Sequence, residues 1–253
     1  MAVRLAQASH DERGAYSGGQ AGNQSGDELN IRTWYSRPWD TILRAYDPQL
    51  GAMIAYVAQT LVRCLLIGYD QILTQRTSLY DQCERIGWDI NRIGEIQPCE
   101  CDCSSLIAVI LRFCGISIPK SINTSGMTAA LQATGLFEVL RDPKYLTSGD
   151  YLRKGDIVLN TWHHVAVCLD NGSRAVPVTF APYQGTVVVQ THLKVRTGPG
   201  SQYPEFYVDG GDGTWTPWRL PPAARIIIAE ELSGWGRVAD TVGWVSLNYI
   251  RRA

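Results

Sequence analysis

The stretch from Ser104 to Phe113 constrains the fold more than any other part of the chain. It is almost wholly apolar, it follows Asp102 and Ser104, either of which can cap a helix, and Gly115 and Pro119 stop it. A helix that is apolar nearly all round belongs inside a domain, so other elements must wrap it. It is too short for a membrane span, since Arg112 interrupts the run from Leu106 to Ile118 and no other run approaches ~20 apolar residues.

The neighbouring segments supply that wrapping. From Leu50 to Leu66, Ala52, Met53, Tyr56, Val57, Leu61 and Cys64 recur at three- and four-residue spacing, which predicts a helix with a broad buried face. Residues 75–88 read as a helix ending near Gly87, and Thr124–Ala133 as a short one stopped at Gly135. Residues 10–30, with five glycines, read as a loop, and Trp34, Tyr35 and Trp39 then return the chain to a core. At Gly155 the period changes: DIVLN and HHVAVCL are strand-like, and Asp170-Asn171-Gly172 signals a hairpin into SRAVPVTF. Past APYQGT, short strands separated by Gly/Pro turns suggest a second, all-β unit. The expected class is therefore α+β over residues 1–183, followed by a small barrel or sandwich over 187–253, with the boundary near 181–187.

Composition narrows the function. The chain has 253 residues, 45% of them hydrophobic, and a formal charge of -1, which excludes a disordered chain and a nucleic-acid binder driven by bulk charge. The N-terminal MAVRLAQASHDERG lacks the apolar stretch of a secretory signal, so a cytoplasmic site of synthesis and free thiols are expected. Seven cysteines, an odd number, cannot all pair.

Cys103 stands just before the buried helix, where unpaired N–H groups and the positive end of the dipole favour thiolate over thiol. A nucleophilic cysteine needs a base, and the chain has four histidines, His10, His163, His164 and His192. His164 begins the strand HVAVCL; alternation points His163 to the opposite face. Cys64, Cys83, Cys114 and Cys168 read as small apolar fillers. A zinc site on Cys99, Cys101 and Cys103 with a histidine is a second reading, against which the Cys-x-Cys-x-Cys spacing speaks.

CDCSSLIAVILRFCGISIP, followed by KGDIVLNTWHHVAVCLDNG, resembles the NlpC-type family of papain-like cell-wall peptidases over roughly residues 99–172. The resemblance implies Cys103 as nucleophile, His164 as base and Gly155-Asp156-Ile157 opening the central sheet. The family's third polar residue would fall at Val176; counting across a two-residue turn puts Thr179 opposite His164 instead, and Asp170, ~20 Å along the strand, is too far. The N-terminal SHDERG and GGQAGNQSGD resemble the start of endolysins of phages and prophages of Gram-positive bacteria. LKVRTGPG from Leu193 and GWVSLNYI from Gly243 resemble a bacterial SH3-like wall-binding domain, in which Trp215, Trp218, Trp235 and Trp244 would divide between core and ligand surface.

These resemblances imply a peptidoglycan hydrolase that cuts a stem-peptide amide next to D-Glu without metal or organic cofactor. It would act on the wall after release, with no nucleic-acid partner and no stable membrane association. An N-acetylmuramoyl-L-alanine amidase using the same Cys103 and His164, a non-catalytic wall-binding protein and a zinc-organised structural domain are the alternatives. His10, Asp11 and Glu12 form one further polar cluster, read either as a solvated loop or as a lip over the cleft.

Overall fold

Three strands that hydrophobic periodicity does not mark precede the first helix: β1 (Arg4–Ala8), β2 (Leu29–Thr33) and β3 (Thr41–Ala45). They belong to a computed structural model that describes residues 2–175, 182–201, 203–209, 215–232, 234–239, 241 and 243–252. The chain divides into two compact units, Met1–Val176 and Pro177–Ala253.

In the first unit, α1 (Pro48–Leu61) starts with Pro48 in its first turn and the Asp47 carboxylate accepting from the Gln49 N–H. It ends before the expected Leu66, because the chain turns to feed β4 (Ile67–Tyr69). The helix expected over 75–88 divides at Thr77 into α2 (Leu73–Arg76) and α3 (Ser78–Arg85). β5 (Cys99–Cys101) pairs with β4 in parallel and leads into α4 (Cys103–Phe113), the predicted apolar helix. Asp102 caps it: its side chain accepts from the Ser105 N–H, and Ser105 Oγ accepts from the Asp102 N–H, so the turn is closed from both sides. Residues 103–111 are all buried. Then come α5 (Met127–Ala133), β6 (Phe137–Leu140), α6 (Pro143–Leu146), β7 (Ile157–Asn160) and β8 (His164–Cys168).

Six strands form one antiparallel sheet in the order β2-β1-β8-β7-β3-β6. Helices α1 and α4 pack on each other and on β8, giving the mixed α+β architecture expected. A Cβ on Gly155 would run into the Gly51 backbone, so this pair of glycines lets α1 lie directly against the turn before β7. Asp156 beside it accepts a two-pronged ion pair from Arg44 of β3, at 2.8 and 2.7 Å, with both side chains buried.

The expected hairpin after β8 is corrected by this topology. Both sides of β8 are occupied, by β1 and β7. The Gly172 N–H donates to the Leu152 carbonyl and the Arg174 N–H to the Asp150 carbonyl, so the segment runs past residues 150–152 instead of back along β8. Asp170, read as a turn residue, accepts from the Arg4 N–H and guanidinium and ties β1 to the end of β8.

The second unit is all-β. Its elements are β9 (Tyr183–Val187), β10 (Leu193–Lys194), β11 (Tyr207–Asp209), β12 (Trp215–Pro217), β13 (Arg219–Leu220), β14 (Arg225–Leu232), β15 (Trp235–Val238), β16 (Trp244–Ser246) and β17 (Ile250–Arg252). Five of them form a sheet in the order β16-β15-β14-β9-β17, and β10–β13 and β11–β12 form two small ladders. Val187, Val195, Ile228 and Val245 fill its core, with Trp218 packed against it and Trp215 exposed. Among the described residues, no helix is long and apolar enough to cross a membrane.

Candidate functional site

A cleft of about 330 Å³ opens in the first unit, bordered by β1, β2, the end of β4 and the β7–β8 turn. His164 lies in its wall, buried at the first position of β8. Its Nε2 is 3.0 Å from Gln7 Oε1, and the same oxygen accepts from the Tyr35 hydroxyl at 2.8 Å. Gln7 Nε2 in turn donates to Asn30 Oδ1, and Asn30 Nδ2 donates to Ser9 Oγ and the Asp27 carbonyl. This chain of donors and acceptors leaves Gln7 Oε1 as an acceptor only. The imidazole therefore carries its proton on Nε2 and keeps Nδ1 as the basic atom. Trp39 packs against the ring, with centroids 6.0 Å apart, and its own Nε1 donates to the Tyr35 carbonyl.

Burial, followed by the charges of Arg37 and Arg32, pushes the His164 pKa down to about 3. The ring is thus neutral at physiological pH.

Cys103 is the first residue of α4, buried beneath the cleft rather than lining it. Burial and the neighbouring Asp102 carboxylate push its thiol up to about 12, against the lowering effect of the Val165 N–H, Arg76 and the Ser104 N–H. The expectation that the helix start favours thiolate is thus corrected: the helix-start donor acts in that direction, but desolvation outweighs it. Val165 adjoins His164, so the fold brings the helix start bearing Cys103 to the strand start bearing His164. Tyr69 and Tyr35, both lining the cleft, lie near Cys103: burial holds both phenols above the ordinary value, with Cys103 adding to the rise at Tyr69, while at Tyr35 the charge and hydrogen bond of Arg37, and the charge of Arg32, oppose it. Among the described residues no hydrogen bond joins the Cys103 thiol to the His164 ring.

Arg76 braces the helix start. Its Nε lies 2.9 Å from Asp102 Oδ2, and its Nη2 donates to Ser104 Oγ and to the Ile122 carbonyl. On the other side of the cleft, Thr161 is pinned to Asp40 through its N–H and hydroxyl, at 2.7 and 2.9 Å. That turn places Trp162 in the left-handed region, at φ 71°, with 76% of its surface exposed at the cleft mouth. A bulky residue is rarely held there, and such outliers gather at functional sites.

The other candidates are placed as follows. His163 is exposed and lines the same cleft. Val176 and Thr179 lie outside the described residues. Gln7, 157 residues before His164 in the chain, is the residue that contacts the ring at Nε2; nothing in its local sequence, RLAQA, marks it. In the glycine-rich loop, Asp11 accepts from the N–H groups of Arg13 and Ala15 and pairs with the Arg13 guanidinium, while His10 Nδ1 sits 2.9 Å from the Asp11 carbonyl. That cluster organises its own loop. Cys99 and Cys101 face the Leu66 and Gly68 carbonyls. Among the described residues no group of three His, Cys, Asp or Glu side chains is arranged to hold a metal ion, and all seven thiols are free.

The second unit carries a cavity of about 810 Å³, with Lys194, Arg196, Trp235 and Tyr249 among its lining residues.

A family model described as endolysin-like domain matches residues 5–175, more than half of the chain. No curated protein and no solved structure matches.

Proposed function

The chain belongs to the endolysin-like domain family, and from that premise we propose that it is a peptidoglycan hydrolase with an NlpC-type, papain-like Cys–His mechanism. Cys103 is the nucleophile, His164 the base and Gln7 the residue that orients the base. The observation that carries this reading is the contact of His164 Nε2 with Gln7 Oε1, which leaves Nδ1 as the basic atom of a ring next to Val165, whose N–H reaches Cys103.

Because thiol and imidazole are both neutral at rest, the proton moves as the bond forms. His164 Nδ1 takes the thiol proton while sulfur attacks the amide carbon. N–H groups of the first turn of α4, which have no partner within the helix, stabilise the developing oxyanion. The amine leaves with the proton from His164, giving a thioester. Water then attacks the thioester as His164 takes a proton from it, and the carboxylate leaves with Cys103 restored. In the cleft wall, Tyr16, Tyr35, Tyr69 and Trp162 offer ring faces for peptide and sugar among otherwise polar side chains. The second unit, whose cavity presents Trp235 and Tyr249, is the wall-binding SH3-like domain in this reading.

The scissile bond follows from the same resemblance: an endopeptidase cut next to D-Glu, with N-acetylmuramoyl-L-alanine amidase as the alternative on the same residues. The test is digestion of purified Gram-positive walls by wild type and Cys103→Ala, with mass spectrometry of the soluble products. Fragments from wild type alone support the mechanism, and their new termini name the bond. Equal release by both proteins removes Cys103 as nucleophile. Wall binding without release by either leaves a non-catalytic binder.

A further inference from the structure

Two guanidinium groups line the cleft beside His164, and neither has a carboxylate partner among the described residues. Arg32 lies over the Tyr35 ring, 4.2 Å from its centre, and Tyr35 donates to the Gln7 oxygen that holds His164. Arg37 lies 5.9 Å from the ring centre of Trp39, which packs against His164 itself. Each cation thus lies against an aromatic side chain that belongs to the support of the base. No Asp or Glu lines the cleft.

Stacking on Tyr35 fixes the Arg32 guanidinium and leaves its N–H edge free, and Arg37, hydrogen-bonded to Tyr35, keeps further N–H donors of its own, the groups by which arginine recognises carboxylates. Two like charges beside a buried imidazole leave the neutral ring undisturbed but make its protonation costly, since both disfavour imidazolium. An anion in the cleft would relieve that cost and would help the base to carry the proton it takes from Cys103.

We propose that Arg32 and Arg37 form a carboxylate-reading subsite, which selects stem peptides whose γ-linked D-Glu keeps a free α-carboxylate and disfavours the same stems with that carboxylate amidated. The proposal rests on the hydrolase reading and adds a substrate class to it. A γ-linked D-Glu places its α-carboxylate a few bonds from the amide on either side, so the subsite sits beside the bond an endopeptidase cuts there, whereas the muramoyl–L-Ala amide of an amidase lies one residue farther away. A carboxamide has the same shape but no charge, and it turns N–H donors toward N–H donors.

The test uses three soluble muramoyl tetrapeptides: one with both the D-Glu α-carboxylate and the C-terminal carboxylate free, one with only the α-carboxylate amidated, and one with only the C-terminus amidated. The wild-type chain is expected to cleave the first with kcat/KM about 10- to 100-fold above the second, the range for losing a charged hydrogen-bonding partner, and to treat the third like the first. In Arg32→Gln/Arg37→Gln, the first-to-second ratio falls toward 1, chiefly through a higher KM for the free acid. Cys103→Ala, which keeps both arginines, should bind the first stem more tightly than the second by calorimetry, so the idea stays exposed even if the double variant does not fold. Equal turnover of the first two stems by wild type overturns the subsite while leaving the hydrolase standing. So does a double variant that cleaves with an unchanged ratio, or a preference that follows the C-terminal carboxylate. Failure of wild type to cleave any of the three, or walls, overturns the hydrolase reading and the subsite with it.

Discussion

His164 and Gln7 stand 157 residues apart in the chain and 3.0 Å apart in space, joined between imidazole Nε2 and amide Oε1. The contact exists because the N-terminal strand β1 inserts between β2 and β8, which puts residues from the first ten positions beside the strand that starts with His164.

Gln7→Leu deprives both the His164 ring and the Tyr35 hydroxyl of their acceptor. An unsatisfied buried donor costs on the order of 1–3 kcal/mol; kcat on soluble stem peptides is expected to drop about 10- to 100-fold. Gln7→Glu makes a distinct prediction. A carboxylate beside the ring favours imidazolium, so the acid limb of the kcat/KM–pH profile moves to higher pH. An unshifted limb would show that Gln7 does not act on His164.

The depressed His164 pKa couples folding to acid. Its ordinary value is 6.5 and the folded value about 3, so the unfolded chain binds the proton more tightly. Its contribution to stability is complete above pH ~6.5 and is lost as pH falls toward ~3, at up to about 1.4 kcal/mol per pH unit. His164→Gln, which keeps a donor toward Gln7, should flatten that part of the stability curve in urea titrations at pH 4 to 7. Parallel curves for the two proteins would refute the shift.

Glu100 predicts the opposite slope. It is buried in β5, and one of its carboxylate oxygens has no partner. Burial, followed by the charges of Asp70, Glu28, Glu12 and Asp11, raises its pKa from 4.5 to about 7. The folded chain therefore holds this proton more tightly than the unfolded one, and stability is lost as pH rises from about 4.5 through about 7. The glycine-rich loop closes over the same strands, Gly22 packing on Gly68 where a Cβ would clash with its backbone. Glu100→Gln should raise Tm at pH 8 and leave it nearly unchanged at pH 4.5; a uniform shift at both would contradict the titration.

Arg44 and Asp156 make the strongest stability prediction. Arg44→Met strands a carboxylate that is 1% exposed, and removal of one partner from a buried pair costs about 3–5 kcal/mol. Asp156→Asn in the same chain removes the stranded charge and should restore part of the loss, read as the urea midpoint of a double-mutant cycle. Strict additivity of the two changes would mean that the pair is not coupled.

The parts of this molecule that were legible in advance are local. Asp102, one of the two capping residues the sequence offers, and Gly115 bound α4 within one short segment, and its unbroken apolar surface already states that it is buried. The helix start at Cys103 and the strand start at His164, which carry the two candidate residues, are read from the same local signals. The short β units of the second half follow from their turns. By contrast, β1, β2 and β3 went unread. Arg4–Ala8 and Thr41–Ala45 are buried on nearly every residue, which weakens the alternation by which a strand is recognised, and Leu29–Thr33, although it alternates, begins inside the glycine-rich stretch that reads as a loop. The hairpin after Asn171-Gly172 failed for the converse reason: a turn signal is local, and β1 and β7 already held both edges of β8.

The ionisation state of the site was likewise out of reach. Helix-start donors can be inferred from the chain, but the burial that outweighs them at Cys103, and that keeps His164 neutral, depends on what covers the residues. Capping, periodicity and turn chemistry act over a few residues and are therefore written in order along the chain. Strand neighbours, the Gln7–His164 contact and desolvation arise between segments distant in sequence, so they came into being only when the sheet closed.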